Sequence, residues 1–102
     1  MQFRLISDNV DTQVGLRLAG IPGVVVHEED EIKKALNNAI NDDNVGVILI
    51  TEILVNKCRD YIYDLKLKLS RPLIVEIPDR HGNGKVKDSI SKYVHDAIGI
   101  KF

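Results

Sequence analysis

The chain has 102 residues, 44% of them hydrophobic and 28% charged, a balance that supports one packed core, leaves too little apolar surface for a second, and argues against a disordered or membrane-embedded protein. Fourteen Lys and Arg residues face fifteen Asp and Glu for a formal net charge of -1, with no long run of either sign, so sequence-independent attraction to nucleic acid or anionic lipid is not favoured. The lone Cys58 permits no intramolecular disulfide, residues Met1 to Asp8 carry no signal-peptide apolar stretch, and no run approaches the ~20 apolar residues of a membrane span, so a cytoplasmic address is expected.

The first segment with strand character is Phe3 to Ser7, short and rich in large apolar residues. Asp8 or Asp11 then offers an N-cap, and Val10, Val14 and Leu18 fall at helical spacing as the expected inner face of a first helix, which Gly20-Ile21-Pro22-Gly23 ends. Val24 to His27 reads as the second strand. Glu28 to Asn41 follows as a helix with Ile32, Leu36 and Ile40 inward and acids at its start, where the helix dipole favours them.

The third strand, Val45 to Ile50, is apolar almost without alternation, as a central parallel strand covered on both faces requires. A third helix is expected from about Glu52 to Leu69, with Leu54, Cys58, Tyr61, Ile62, Leu65 and Leu69 inward. Leu73 to Ile77, between Pro72 and Pro78, reads as a fourth strand at a sheet edge. A polar, glycine-containing loop from Asp79 to Lys85 leads to a fourth helix, about Val86 to Ile98, with Val86, Ile90, Val94 and Ala97 inward. Strands alternating with helices of this length predict right-handed crossovers and one α/β domain over residues 1–102: a parallel four-stranded sheet in the order 2-1-3-4 with helices on both faces, similar to a truncated flavodoxin or receiver fold.

In open parallel sheets ligands bind at the carboxyl ends of the strands, here Ser7 to Asp11, His27 to Glu29, Thr51-Glu52 and Pro78 to Lys85. A phosphoryl-accepting receiver needs an acidic pair after strand one, an Asp after strand three and a strand-end Lys; Asp8 stands nearly alone and strand three ends in Thr51-Glu52. The first strand-helix turn contains no glycine, so it lacks the dinucleotide fingerprint, and Gly82-Asn83-Gly84-Lys85 lacks the Walker spacing and reads as a turn. Cys58 lies on an inner stripe and reads as a small apolar filler. His27, His81 and His95 fall on different elements, with no metal-pair spacing. No catalytic residue, cofactor or metal site is therefore expected.

Two features point outward. With Cys58 at the centre of the third helix's inner stripe, Ile53, Tyr63 and Leu67 fall on the opposite side at about 100° per residue, an apolar patch suited to a partner. The end of the chain, Ile98-Gly99-Ile100-Lys101-Phe102, is apolar for a terminus: either it merely folds back on the sheet, or it is an interaction peptide that orders on binding, with Ile100 and Phe102 as candidate contacts.

Three segments resemble the F subunit of the V-type and A-type rotary ATPases: Ser7 to Gly20, with its Asp11-Thr12-x-x-Gly15-x-Arg17-Leu18-Ala19-Gly20 string; Gly46 to Glu52, ending in Ile50-Thr51-Glu52; and Pro72 to Pro78 with Asp88-Ser89-Ile90 and Ala97-Ile98-Gly99 beyond it. The resemblance covers nearly the whole chain, although Ser7 stands where the family commonly has Gly and Leu16 where it commonly has an aromatic. The short C-terminus is similar to the bacterial or archaeal form. The resemblance implies a non-catalytic part of a central stalk, bound to the coiled-coil D subunit and turning inside the catalytic A and B hexamer of an ion-translocating ATPase. It also singles out Thr12, Arg17, Thr51 and Glu52, for which a structural and an interface role are both open. The alternative is a receiver-like or nucleotide-binding regulator built around Asp8, Thr51 and Glu52.

Overall fold

The computed structural model describes residues 2–78. Along them run β1 (Gln2–Ser7), α1 (Val10–Leu18), β2 (Gly23–Val25), α2 (Glu29–Ile40), β3 (Val45–Thr51), α3 (Glu52–Lys57), α4 (Arg59–Lys68) and β4 (Leu73–Ile77). The four strands form one sheet in the order β2-β1-β3-β4, with every pairing parallel. The expected loop after Pro78, the helix Val86 to Ile98, the tail with Ile100 and Phe102, and His81 and His95 all lie outside the described residues. No helix among the described residues is long and apolar enough to cross a membrane.

The apolar run of β3 sits in the middle because only there can both of its faces be covered. Alternate residues leave the strand on opposite sides. Ile48 and Ile50 join Ile6, Val26 and Ile74 in a core closed by Ile32 and Leu36 of α2, Leu54 and Val55 of α3 and Ile62 of α4. Val47 and Leu49 join Leu5, Val75 and Ile77 on the other side, where Leu16 of α1 and the following Ile21 pack. Helices thus cover both faces of the sheet.

Local chemistry sets the ends of α1. Ser7 Oγ accepts from the Asn9 N–H (2.9 Å) and donates to the Asn9 carbonyl (3.0 Å), which holds the turn out of β1. Asn9, and not Asp8 or Asp11, is the N-cap: its Oδ1 accepts from the Thr12 N–H at 3.2 Å. At the other end Gly20 has φ 88°, the left-handed conformation that glycine takes without a Cβ penalty, and the Ile21 N–H returns to the Leu16 carbonyl at 2.9 Å.

The expected inner face of α1 is reversed. Thr12 and Leu16 are buried, while Val10, Val14 and Leu18 are 61%, 45% and 77% exposed. The turn held by Ser7 and Asn9 fixes the rotation at which the helix leaves β1, and that rotation aims Thr12 and Leu16 at the sheet. In α2 the third inward residue is Ala39, with Ile40 only partly buried.

Three boundaries also differ from expectation. The second strand is Gly23–Val25 and not Val24 to His27, although the Val26 N–H still bonds to the Ser7 carbonyl at 2.9 Å before the chain turns away. The third helix is two, α3 and α4, because Cys58 adopts φ -131° and ψ 37° between them. No proline or glycine marks that break. α2 begins one residue later than its pattern, after Glu28, where Glu31 turns back to accept from the backbone N–H groups of Glu28 (3.0 Å) and His27 (3.2 Å).

Gly23 lies against Leu5 so closely that an added Cβ would stand 2.6 Å from Leu5 Cβ and 2.8 Å from its carbonyl oxygen. Gly23→Ala should therefore lower stability by about 1–3 kcal/mol in urea unfolding, as overpacked sites do; an unchanged midpoint would mean that β2 does not pair with β1 in this register. The two backbone N–H groups on Glu31 hold its carboxyl below its ordinary value. A lowered folded-state pKa stabilises the fold above the unfolded value and loses that contribution as pH falls through the folded one. The stability difference between wild type and Glu31→Gln should accordingly be present at neutral pH and shrink as pH falls below the ordinary glutamate range, read as urea midpoints across a pH series.

Candidate protein interface

The carboxyl ends of β1 and β3 are adjacent, at the point where the strand order reverses and α/β sheets usually hold ligands. Here the polar groups satisfy one another. Thr51 is buried, and its Oγ1 donates to Asp8 Oδ1 at 2.9 Å, tying the turn after β1 to the end of β3. Ser7, also buried, spends its hydroxyl on the Asn9 backbone. One carboxylate oxygen and two hydroxyls are thereby committed to hydrogen bonds within the fold.

Cys58, at the break between α3 and α4, lines a groove of about 350 Å³ together with Glu29, Lys33, Lys57, Arg59 and Asp60. Burial pushes the Cys58 thiol up, the Glu29 carboxylate adds to the rise, and Lys33 and Lys57 oppose it. The thiol form is favoured, and the side chain is buried with the core residues of α2, α3 and α4. Around the groove the side chains bind the framework: Lys57 Nζ donates to the His27 carbonyl at 2.8 Å, and Tyr61 Oη to Asn37 Oδ1 at 3.0 Å.

The outward patch predicted on the third helix is divided by the break at Cys58. Ile53 belongs to α3 and is 39% exposed, whereas Tyr63 and Leu67 lie one turn apart on α4 at 43% and 87%. Leu67 therefore projects furthest. Arg59 donates to Tyr63 Oη at 2.9 Å, and Arg59 and Lys66 each stand 5.7 Å from the Tyr63 ring centre, so the phenol is framed by cations of its own helix.

The other four singled-out residues divide by burial. Thr12 and Thr51 face the interior, one beneath α1 and the other bonded to Asp8. Thr51 is the N-cap of α3 by its extended backbone, without a side-chain capping bond. Arg17 and Glu52 are exposed, Arg17 in the last turn of α1 and Glu52 in the first turn of α3. Arg17 makes no ion pair with any described residue. Periodicity missed two features: the Asp8–Thr51 bond, which joins residues 43 positions apart, and the apolar outer stripe of α1. The regular spacing of Val10, Val14 and Leu18 was visible, but not the side to which it points.

Residues 4–94 match the family model described as ATP synthase (F/14-kDa) subunit. The F subunit of the A-type ATP synthase of Methanocaldococcus jannaschii is 36% identical over 101 residues, spanning 98% of this chain and 97% of that protein. Its counterpart from Thermococcus kodakarensis is 35% identical over 106 residues, spanning 99% of this chain and 97% of its own length. The crystal structure of the F subunit of the V-type ATP synthase from Archaeoglobus fulgidus superposes with a TM-score of 0.61 at 24% identity, covering 74% of this chain and 95% of that one, a likeness of fold.

Asp8→Ala should cost about 1–3 kcal/mol, because it strands the buried Thr51 hydroxyl. Adding Thr51→Val should cost less in that background than in wild type. A double-mutant cycle by urea unfolding should give a coupling on the order of 1 kcal/mol, and a coupling near zero would show that the bond contributes nothing.

Proposed function

This chain belongs to the ATP synthase (F/14-kDa) subunit family, and on that premise we propose that it is a non-catalytic subunit of the central stalk of an A/V-type rotary ATP synthase. It binds the coiled-coil D subunit and turns with it inside the hexamer of catalytic A and B subunits, linking ATP synthesis or hydrolysis to proton or sodium transport. It acts as one domain over residues 1–102, on the cytoplasmic side and peripheral to the membrane. The observation that carries this reading is the match over residues 4–94 to a family of complex subunits, supported by near-complete coverage of A-type relatives.

The geometry is in keeping with a part that transmits force. Strand ends that commonly hold substrate in α/β domains are closed by the Asp8–Thr51 bond. Tyr63 and Leu67, one turn apart on α4, present apolar surface that the fold itself does not use. With Ile53 and Glu52 they are the described candidates for contact with the D subunit from that face, joined by Ile100 and Phe102 of the tail; Arg17, on α1, is a candidate contact on the opposite face. Thr12 and Thr51 serve such an interface from beneath, by holding α1 and the start of α3 in place.

Mixed at micromolar concentration with the D subunit, the chain should elute as one complex; two separate species would refute the reading. Tyr63→Ala combined with Leu67→Ala should weaken that association at least tenfold, about 1.4 kcal/mol. Both side chains are exposed, so the isolated fold should keep its stability within about 0.5 kcal/mol. Unchanged affinity in the double variant would move the contact away from α4.

A further inference from the structure

The outer stripe of α1 is the feature that neither the fold nor the α4 contact uses. Val10, Val14 and Leu18 are spaced four residues apart, so each advances about 40° around the helix, and the three form one ridge. They lie opposite Thr12 and Leu16, the two residues that α1 buries. All three are exposed, Leu18 at 77%. A helix needs only its inner face for folding, and the sequence places its larger share of apolar side chains on the other one. α1 and α4 also lie on opposite faces of the sheet, since Leu16 belongs to one core and Ile62 to the other. One flat contact cannot cover both ridges.

We infer that the Val10–Val14–Leu18 ridge docks an amphipathic α-helix of another subunit of the complex, as a second contact separate from α4. The shape of the ridge selects a helix: a single row at i, i+4 and i+8 fits the groove between the rows of a facing helix. Its size argues against a second copy of this chain. Three side chains present on the order of a few hundred Å², well short of the ~800 Å² per partner of a stable binary interface. So small a contact suits a partner already held nearby by other contacts, as in a multi-subunit assembly.

The charges beside the ridge give it a direction. At about 100° per residue Asp11 flanks it near Leu18's side and Arg17 near Val10's side, both exposed and neither ion-paired with a described residue. A matching helix carries an apolar stripe with a basic residue on one flank and an acidic residue on the other. This inference rests on the chain working inside the assembled complex.

The test combines the full chain with the remaining soluble subunits of its own complex. Val14→Glu with Leu18→Lys leaves net charge unchanged and alters only exposed positions; it should keep the wild-type melting curve and reduce incorporation at least tenfold. If wild type incorporates and this variant does so equally, the α1 contact is refuted while the stalk assignment stands. If wild type itself does not incorporate, both fall. A photoreactive label on Val14→Cys, in a Cys58→Ala background, reads the occupant independently of the variant's folding. A cross-link to a helix of another subunit is expected; one to residues 79–102 of the same chain, or to a second copy, overturns the inference.

Discussion

Burial of β3 from both sides organises this domain. From Val47 onward its residues alternate between two cores, Ile48 and Ile50 on one side and Val47 and Leu49 on the other, and all four are nearly or wholly removed from solvent. A strand with that composition has no stable place at an edge, because one apolar face or one row of backbone groups would meet water. β1 and β4 must therefore flank it, and parallel pairing then sends each connection over a face as a helix. The layering of α1 against α2, α3 and α4 follows from one run of apolar residues.

Parallel layering leaves a notch where the strand order reverses, and many α/β domains put their chemistry there. In this chain the notch is braced. Thr51 and Asp8 join the ends of β3 and β1, and Ser7 and Asn9 lock the turn into α1. The same residue types, left unpaired, would form a small polar site; hydrogen-bonded to each other they stiffen the end of the sheet. Rigidity at the strand ends and apolar ridges on the outer helices are what a subunit needs if its work is contact with its neighbours.

Ridges on both outer layers distinguish this domain from one built to stand alone. α4 offers Tyr63 and Leu67, with cations set around the phenol. α1 offers a purely aliphatic row. The face that α1 gives the sheet is modest by comparison, one Leu and one Thr, so packing alone does not account for the amount of apolar surface on that helix. Its cap at Asn9 and its glycine stop at Gly20 hold it in place despite that thin contact.

How far the sequence could be read depended on the range of the interaction responsible. Strand identity, strand order, the limits of α2 to within a residue and the inward residues Leu54, Cys58 and Ile62 were all legible, because hydrophobic period and turn residues are local and β3 admits only a central position. The side on which Val10, Val14 and Leu18 lie was not: four-residue spacing defines a stripe but not its direction, and the turn at Ser7 and Asn9 that orients α1 acts through backbone geometry. Nor was the break at Cys58, which has no proline or glycine to announce it, or the Asp8–Thr51 bond, whose partners meet only once β1 and β3 are paired. Sequence alone determined the architecture, since burial of apolar residues at a fixed period leaves few ways to layer this chain. Which surfaces are left for partners was decided by tertiary structure, because exposure belongs to the packed whole and not to any one segment.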